Sequence, residues 1–280
     1  MKKILLNVIL CVLVSTGARA SLLMEDAITN AASGSNLGSV SPWGNSSSQV
    51  KVATGNLTNA SVLSPAAAGN LAYILGTAGG SSYRAFSASS ITSGAVYYAL
   101  LVQCTNAPTA SGYLTGLLPN GTTSPGGSSD ALAVYFAPSG NGFQLGIRKN
   151  GANITNAPTV LVTNTTYLVV AKYAFGAGAA DDVVSLYLSP TPGAAEPASP
   201  DATQTGGTDA ANLQNLYFKS SSGYGNWNLD TLRVGTSWAD VTPAAGGVTP
   251  PATNSQPYIT QTLLSAGSLV LRGTNGTSNG

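Results

Sequence analysis

Large apolar residues recur at every second position along most of the chain. The segments ALAVYF and FQLGI, on either side of the turn-forming sequence APSGNG, both show this alternation. Successive side chains of a β-strand point to opposite faces, so a period of two predicts strands with one buried face. The glycine-containing turn between the two segments predicts an antiparallel hairpin.

The clearest pair of strands is YLVVAKYAF and DDVVSLYL, which flank the loop GAGAA. Asp181 and Asp182 open the second strand. Aspartate is common at turns because its side chain bonds nearby backbone groups, and this is the simpler interpretation of the pair. The alternative is that both carboxylates bind calcium, which accepts carboxylate and carbonyl oxygens in irregular geometry.

The whole pattern predicts about ten to thirteen short strands and no helices. Such a chain is expected to fold as an all-β, antiparallel two-sheet β-sandwich over residues 21–241, with a single barrel as the alternative. Residues 242–257 have the proline, glycine and threonine content of a linker. Residues 258–280 show one more alternating hairpin, which we interpret as the start of a second small β module of a longer protein, since two strands cannot bury a core.

Residues 1–20 have the features of a secretory signal peptide. Lys2 and Lys3 precede an apolar stretch, and Ala18, Arg19 and Ala20 form a small-x-small cleavage site. The apolar stretch is about half of the roughly 20 residues that cross a bilayer, which argues against a retained anchor. The sequence therefore predicts an exported bacterial protein, secreted or at the cell surface, with no membrane insertion after cleavage.

Composition excludes several kinds of chemistry. The chain contains no histidine, which excludes Ser-His-Asp triads, Cys-His dyads and histidine-bearing zinc sites. Cys104 is the one cysteine outside the leader and lies in the apolar run ALLVQC, so we interpret it as a buried residue. Without the leader, eight basic residues face ten acidic ones, and no basic stripe is available to bind nucleic acid.

Three segments carry a family resemblance: LLMED after the leader, TTYLVVAKYAF with DDVVSLYLSPTPGAAEP in the middle, and LDTLRVGTSWADV at the end. Together they resemble the concanavalin A-like, laminin-G-like jelly-roll modules of large secreted bacterial proteins. The resemblance covers residues 21–241. It implies a jelly roll of two packed antiparallel sheets, a secreted or surface setting, further domains in the same chain, and a glycan or matrix polymer as partner.

Aromatic side chains are the candidate carbohydrate-binding residues, because sugars stack on exposed flat rings. Trp43, Tyr224 and Trp227 lie in loop sequences rich in glycine, serine and asparagine. Loops carried on a rigid sandwich commonly bind ligands. The alternative is that each tryptophan closes one end of the core. The long proline-rich segment 189–212 is a further loop expected either to be disordered or to lie near a binding edge.

The spacing of the acidic residues bears on whether the domain is an enzyme or a binding module. Retaining glycoside hydrolases need two carboxyl groups about 5 to 5.5 Å apart, and the only glutamates, Glu25 and Glu196, lie in no such pattern. The sequence predicts a non-catalytic extracellular module for carbohydrate binding or cell-surface adhesion and spacing, with no cofactor unless calcium binds. The alternatives are a degenerate polysaccharide-degrading enzyme domain and a calcium-dependent adhesion domain.

Overall fold

A computed structural model describes residues 21–28, 32–58, 69–126, 129–244, 258–265 and 268–274. The predicted leader and most of the predicted linker lie outside these residues. For 258–274 the backbone alone is described.

Fourteen strands lie between residues 22 and 235 of the described chain, one more than the ten to thirteen that the alternating pattern predicts. They are β1 (Leu22–Asp26), β2 (Val50–Thr54), β3 (Asn70–Ile74), β4 (Gly80–Ala85), β5 (Ala95–Asn106), β6 (Gly112–Leu118), β7 (Leu132–Ser139), β8 (Gly142–Lys149), β9 (Thr155–Asn156), β10 (Thr166–Ala174), β11 (Val183–Leu188), β12 (Ala202–Gln204), β13 (Asn215–Ser220) and β14 (Asn226–Gly235). The prediction of no helices is wrong in detail: a 3₁₀ turn at Leu37–Ser39 and a short helix α1 at Trp238–Val241 are present among the described residues.

The strands form two antiparallel sheets, so the predicted β-sandwich is confirmed and the barrel alternative is wrong. The larger sheet has the order β12-β11-β10-β5-β14-β3-β2, with β1 also paired to β14. The smaller sheet has the order β4-β13-β6-β7-β8-β9. Both hairpins read from the sequence are present, because β7 pairs with β8 and β10 pairs with β11.

The main core lies between the two sheets. In β5 the even-numbered side chains from Val96 to Cys104 face this core, as a period of two requires. Trp227, Phe136 and Phe143 meet there, and all three are fully buried. Burial of each large apolar side chain contributes about 1.5 to 3 kcal/mol. Burial also raises the pKa of the Cys104 thiol to about 12, so the thiol stays protonated and inert at neutral pH.

The outer face of the larger sheet is covered by chain rather than open to solvent. A second apolar cluster lies there, to which α1 contributes Trp238 and Val241. Helix α1 begins at the N-cap residue Ser237, whose hydroxyl accepts a hydrogen bond from the Asp240 N–H while the Asp240 carboxylate accepts one from the Ser237 N–H. The indole N–H of Trp238 donates to the carbonyl of Ala194 at 3.0 Å and so holds the proline-rich loop against the sheet.

The outer face of the smaller sheet is the more open of the two. Directly opposed residues in antiparallel strands share a face, so the register places Tyr83, Tyr217, Gly116, Ala133 and Arg148 in one row across five strands. A β-bulge in β6 between Tyr113 and Thr115 adds one residue to the strand. Without it Tyr113, three positions before Gly116, would point into the core; the bulge turns it to the outer face opposite Tyr135.

Strands β15 (Tyr258–Ser265) and β16 (Ser268–Thr274) form a separate two-stranded antiparallel sheet. This is the hairpin expected after the linker, and its place in a second module stays a prediction. No helix in the described residues is long and apolar enough to span a membrane.

Candidate functional site

The two candidate tryptophans lie in the core. Trp43 is 6 % exposed and stacks on Phe218 with ring centroids 5.0 Å apart. Trp227 is fully buried and contacts Phe143 edge-on at 4.9 Å. The predicted role needs an exposed ring face, and neither ring has one. The reason is that each loop folds over an end of the sandwich, where burying an indole is worth more than exposing it.

Tyr224 is half-buried and packs against the main core on the inner side of the smaller sheet. Its ring packs edge-on against Phe136 with centroids 5.0 Å apart. The ring also occupies the space above Gly112, where a Cβ atom would come within 2.0 Å of it. Burial raises the pKa of the Tyr224 hydroxyl. Its sugar-binding role stays a prediction.

Asp181 and Asp182 meet a third carboxylate, that of Asp209, at a spacing within 4.8 Å. The fully buried ammonium of Lys149 lies against this group: it pairs with Asp209 and donates to the carbonyl of Asp182 at 2.7 Å. Backbone N–H groups donate to the carboxylates of all three aspartates, and the Tyr173 hydroxyl donates to that of Asp182. Protein donors therefore take up five of the six carboxylate oxygens.

Calcium binding at these aspartates stays the alternative to their structural role, and chelation tests it directly. Since Lys149 already neutralises Asp209, we expect EDTA to leave the melting temperature of the protein unchanged. A calcium ion that bound only the native state would stabilise it by mass action. A melting temperature that falls on chelation and recovers with added calcium would support the calcium hypothesis instead.

The open face of the smaller sheet carries a cluster of half-exposed side chains: Tyr83, Tyr113, Tyr135 and Arg148. We call this cluster the tyrosine face. The Arg148 guanidinium donates through Nη1 to the Tyr113 hydroxyl and through Nε to the carbonyl of Ala152 at 3.0 Å. Tyr113 and Tyr135 meet edge-on, with ring centroids 5.3 Å apart. Within the described chain, the hydroxyls of Tyr83 and Tyr135 form no hydrogen bond.

Two of the cations on this sheet form no ion pair in the described chain, although both lie near enough to the buried Asp130 carboxylate for their charges to act on it. Among the described basic side chains, four form ion pairs: Arg84 with Asp26, Lys149 with Asp209, Lys172 with Glu196 and Arg233 with Glu25. Arg148 and Lys219 are not among them, and both project from the outer face of the smaller sheet. This face is therefore the part of the described surface best suited to an anionic ligand.

A buried pair supports one end of the tyrosine face. The Tyr217 ring lies across Gly116, where a Cβ would come within 2.9 Å of the ring, and its hydroxyl donates to Asp130 at 2.9 Å. Burial raises the pKa of Asp130, although hydrogen bonds from Gly126 and Tyr217 act against it. Burial and the Asp130 charge both raise the pKa of Tyr217. The pair fixes the loop that precedes β7 against the sheet.

On the opposite side of the sandwich, Glu196 is tied to the outer face of the larger sheet. Its carboxylate accepts hydrogen bonds from Tyr97 and Lys172, each at 2.8 Å, and from Tyr187. Burial acts to raise the pKa of Glu196, but the bonds from Lys172 and the two tyrosines outweigh it and hold that pKa below its usual value. The proline-rich loop predicted to be disordered or near a binding edge is thus ordered here by an internal ion pair.

We expect Glu196→Gln to lower the melting temperature by about 2 to 4 °C near neutral pH. The difference should vanish in acid. A carboxylate whose pKa is lowered by folding stabilises the fold at pH values above its pKa in the unfolded chain, which is 4.5 for Glu196. This stabilisation is lost as the pH falls through the lower pKa of the folded state. Melting curves of both proteins from about pH 7 to about pH 3 measure this.

The control for this variant is Glu25→Gln, which removes a carboxylate that is 53 % exposed from its pair with Arg233. An exposed pair is screened by solvent, so the change should be smaller. A Glu196→Gln defect that stays constant across the pH range would contradict the assignment.

The remaining carboxylates do not form the pair that hydrolysis requires. Glu25 pairs with Arg233, and Asp240 caps helix α1. Asp230 is buried and accepts hydrogen bonds from the backbone N–H groups of Leu57 and Thr231. In the described chain each of these carboxylates serves its own local structure.

No family model and no curated protein matches the sequence. Among solved structures, the alginate lyase Aly36B is 14 % identical over 75 % of this chain and 95 % of its own, with a TM-score of 0.50. An endo-β-1,4-glucuronan lyase from the fungus Trichoderma reesei is 12 % identical over 69 % and 91 %, with a TM-score of 0.45. A Trypanosoma rangeli sialidase is 12 % identical over 75 % and 30 %, with a TM-score of 0.40.

The likeness to the alginate lyase Aly36B supports the fold and corrects one prediction. The resemblance to jelly-roll modules holds at the level of a β-sandwich. The prediction that the domain is not an enzyme is wrong as drawn from the sequence, because the β-sandwich of this chain is similar to that of an enzyme, the alginate lyase Aly36B. That prediction rested on the missing histidine and the missing carboxylate pair, which exclude hydrolysis by those groups and say nothing against other ways of cleaving a polysaccharide.

Proposed function

We propose that the protein binds an acidic polysaccharide on the tyrosine face and cleaves it by β-elimination at a uronate residue. The observation that carries this proposal is the contact of Arg148, which forms no ion pair in the described chain, with the hydroxyl of Tyr113 beside Tyr135. A cation and two phenol groups at one exposed place are the groups that such an elimination uses.

The chemistry follows from the acidity of the substrate. A base removes the proton on the carbon next to the uronate carboxylate, and the electron pair forms a carbon–carbon double bond as the glycosidic carbon–oxygen bond breaks. A proton is delivered to the leaving oxygen, and no water is consumed. Negative charge grows on the carboxylate during this step, so a guanidinium that binds it lowers the barrier. Arg148 takes this role because its planar donors match a carboxylate.

Tyrosine can serve as a general acid or base in proton transfer. The hydroxyl of Tyr135 has no partner within the described residues and is available to the sugar, while that of Tyr113 is oriented by Arg148. The two phenol groups supply the two proton-transfer positions of the elimination. Tyr83 extends the aromatic surface in the direction of β4 and can stack against a neighbouring sugar.

Elimination also agrees with what the chain lacks. It needs neither a histidine nor the two closely spaced carboxylates of a retaining hydrolase. The sandwich it shares with the alginate lyase Aly36B is a fold on which a lyase is known. We further propose that the protein is exported and acts outside the cell or at its surface, where uronate polymers of walls and matrices are accessible.

The test is to incubate the full chain with a panel of uronate polymers, among them alginate, polyglucuronate and polygalacturonate. Elimination leaves an unsaturated uronate at the new chain end, which absorbs in the ultraviolet, whereas hydrolysis leaves a new reducing end without that absorbance. An absorbance increase on at least one polymer supports the proposal. Absence of the unsaturated product on every uronate polymer of the panel overturns it.

A further inference from the structure

A recess of about 490 Å³ opens at the edge of the smaller sheet, next to the tyrosine face. Polar side chains line it, including those of Asn45, Ser47, Ser81, Ser124 and Lys219. We call it the serine recess. Asn45 donates to the Ser81 hydroxyl at 2.7 Å, which fixes one wall. Hydroxyl and amide groups of this kind are suited to hydrogen bonds with sugar hydroxyls.

Lys219 is the one cation among the described residues that line the serine recess. Its ammonium donates to the carbonyl of Pro125 at 2.6 Å. It forms no ion pair among the described residues, and the charge it feels from the nearby Asp130 carboxylate is that of a buried group. An ammonium carries three donors, so the bond to Pro125 leaves others for a ligand. The side chain is half-exposed.

The strand register connects Lys219 to the tyrosine face. Tyr217 lies opposite Gly116, and Phe218 lies opposite Thr115. Because β13 and β6 are antiparallel, Lys219 lies farther along in the direction of Tyr113, on the same outer face as Tyr217. The order β13-β6-β7-β8 separates Lys219 from Arg148 by three strand spacings, or about 14 Å. Tyr113 and Tyr135 lie on the strands between.

We infer that the serine recess is a second carboxylate subsite, in which Lys219 binds a uronate residue of the same polymer several sugars away from the one held by Arg148. The inference rests on the proposed function, since it extends that binding surface across the sheet. A polymer bound in this way runs across the strands from β4 to β8 and passes over the two phenol groups. Affinity then depends on length, because a short oligomer cannot reach both cations.

The test is binding of uronate oligosaccharides of increasing length, measured by calorimetry on the full chain. Lys219→Ala should weaken binding of long oligomers about tenfold, the loss expected for one hydrogen bond to a charged group. It should leave disaccharide binding unchanged. The matched control is Lys51→Ala, which removes the same charge from the larger sheet and should bind every length as wild type does.

A second variant tests ligand binding in the recess without changing Lys219. Ser124 is exposed, and Ser124→Glu adds a carboxylate to the lining without removing the bond from Lys219 to Pro125. It should weaken the binding of long oligomers by a similar factor. Ser89→Glu, which changes an exposed serine outside the recess, should have no effect on binding. This pair keeps the test valid if Lys219→Ala disturbs the loop around Pro125.

The outcomes separate this inference from the proposed function. If the protein cleaves uronate polymers and both recess variants bind long oligomers as wild type does, the inference fails and the function stands. If the protein cleaves none of them but binds oligomers in a way that depends on length and on Lys219, the function fails and the subsite stands. If wild type binds no uronate oligomer, both are overturned.

Discussion

Tyr135→Phe is expected to slow cleavage of the uronate polymer by about 100- to 10,000-fold, the range for losing a general acid or base. The substitution removes one hydroxyl that has no partner within the described chain, and it keeps the ring that packs against Tyr113. Stability should therefore stay within about 0.5 kcal/mol of wild type. Turnover, followed by the absorbance of the unsaturated product, should fall without a matching change in substrate affinity.

Arg148→Ala should produce a different kinetic defect. It removes the cation that holds the substrate carboxylate both in the ground state and as charge develops, so affinity and turnover should both fall. Arg148→Lys should recover only part of the loss, because an ammonium lacks the planar pair of donors. The contrast between these variants and Tyr135→Phe separates binding from proton transfer.

The matched control is Tyr73→Phe, which removes a hydroxyl from a half-buried tyrosine of β3 in the larger sheet. It should leave turnover and affinity unchanged. If Tyr135→Phe and Tyr73→Phe were both as active as wild type, the phenol of Tyr135 would have no part in the reaction. Full activity of Arg148→Ala would remove the observation on which the proposed function rests.

The β-sandwich could be predicted because its cause is local. Strands with one buried face must alternate, and the β10–β11 pair shows the alternation in the sequence itself: Val169, Ala171 and Tyr173 face the core opposite Leu188, Leu186 and Val184. The pairing partners of such strands depend on contacts between distant segments. For instance, β5 lies between β10 and β14, and no local sequence pattern predicts this order.

The tyrosine face could not be predicted, for two physical reasons. Tyr113 reaches it through the β-bulge of β6, and a pattern of period two assigns Tyr113 to the wrong face. Arg148 and Lys149 are adjacent in sequence but lie on opposite faces of β8, one half-exposed and the other fully buried. Composition alone cannot distinguish a cation that is available to a ligand from one that is paired with an aspartate.

The two loop tryptophans, which the sequence predicts to be exposed, are buried instead. Trp43 and Trp227 lie in sequences rich in glycine, serine and asparagine, which are typical of exposed loops. Both indoles nevertheless turn inward, and their N–H groups find partners at the edge of the core: the Asp26 carboxylate for Trp43 and the Tyr224 carbonyl for Trp227. A buried indole with its one donor satisfied is stable, so the composition of a loop does not reveal where its aromatic residue points.

Lys149→Met is expected to lower the free energy of unfolding by about 3 to 5 kcal/mol, the cost of removing one partner from a buried ion pair. The ammonium is fully buried and donates to Asp209 and to the carbonyls of Asp182 and Thr205. Methionine fills most of the same volume but donates nothing, so these acceptors lose their donor. Denaturant unfolding of both proteins measures the difference.

A double-mutant cycle with Asp209→Asn identifies the origin of this loss. Burial acts to raise the pKa of Asp209, but the hydrogen bond from Lys149 and those from the backbone outweigh it and hold the pKa below 3.8. The Asp209 charge therefore stabilises the fold above about pH 4, and this contribution disappears as the pH falls through the folded value. Lys149→Met should remove most of that pH dependence, and the double mutant should lose less stability than the sum of the losses in the two single variants.

The control is Lys51→Met, at a half-exposed lysine of β2, which should stay within about 0.5 kcal/mol of the stability of wild type. Equal stability of the Lys149 and Lys51 variants would show that the buried ammonium contributes nothing to the fold.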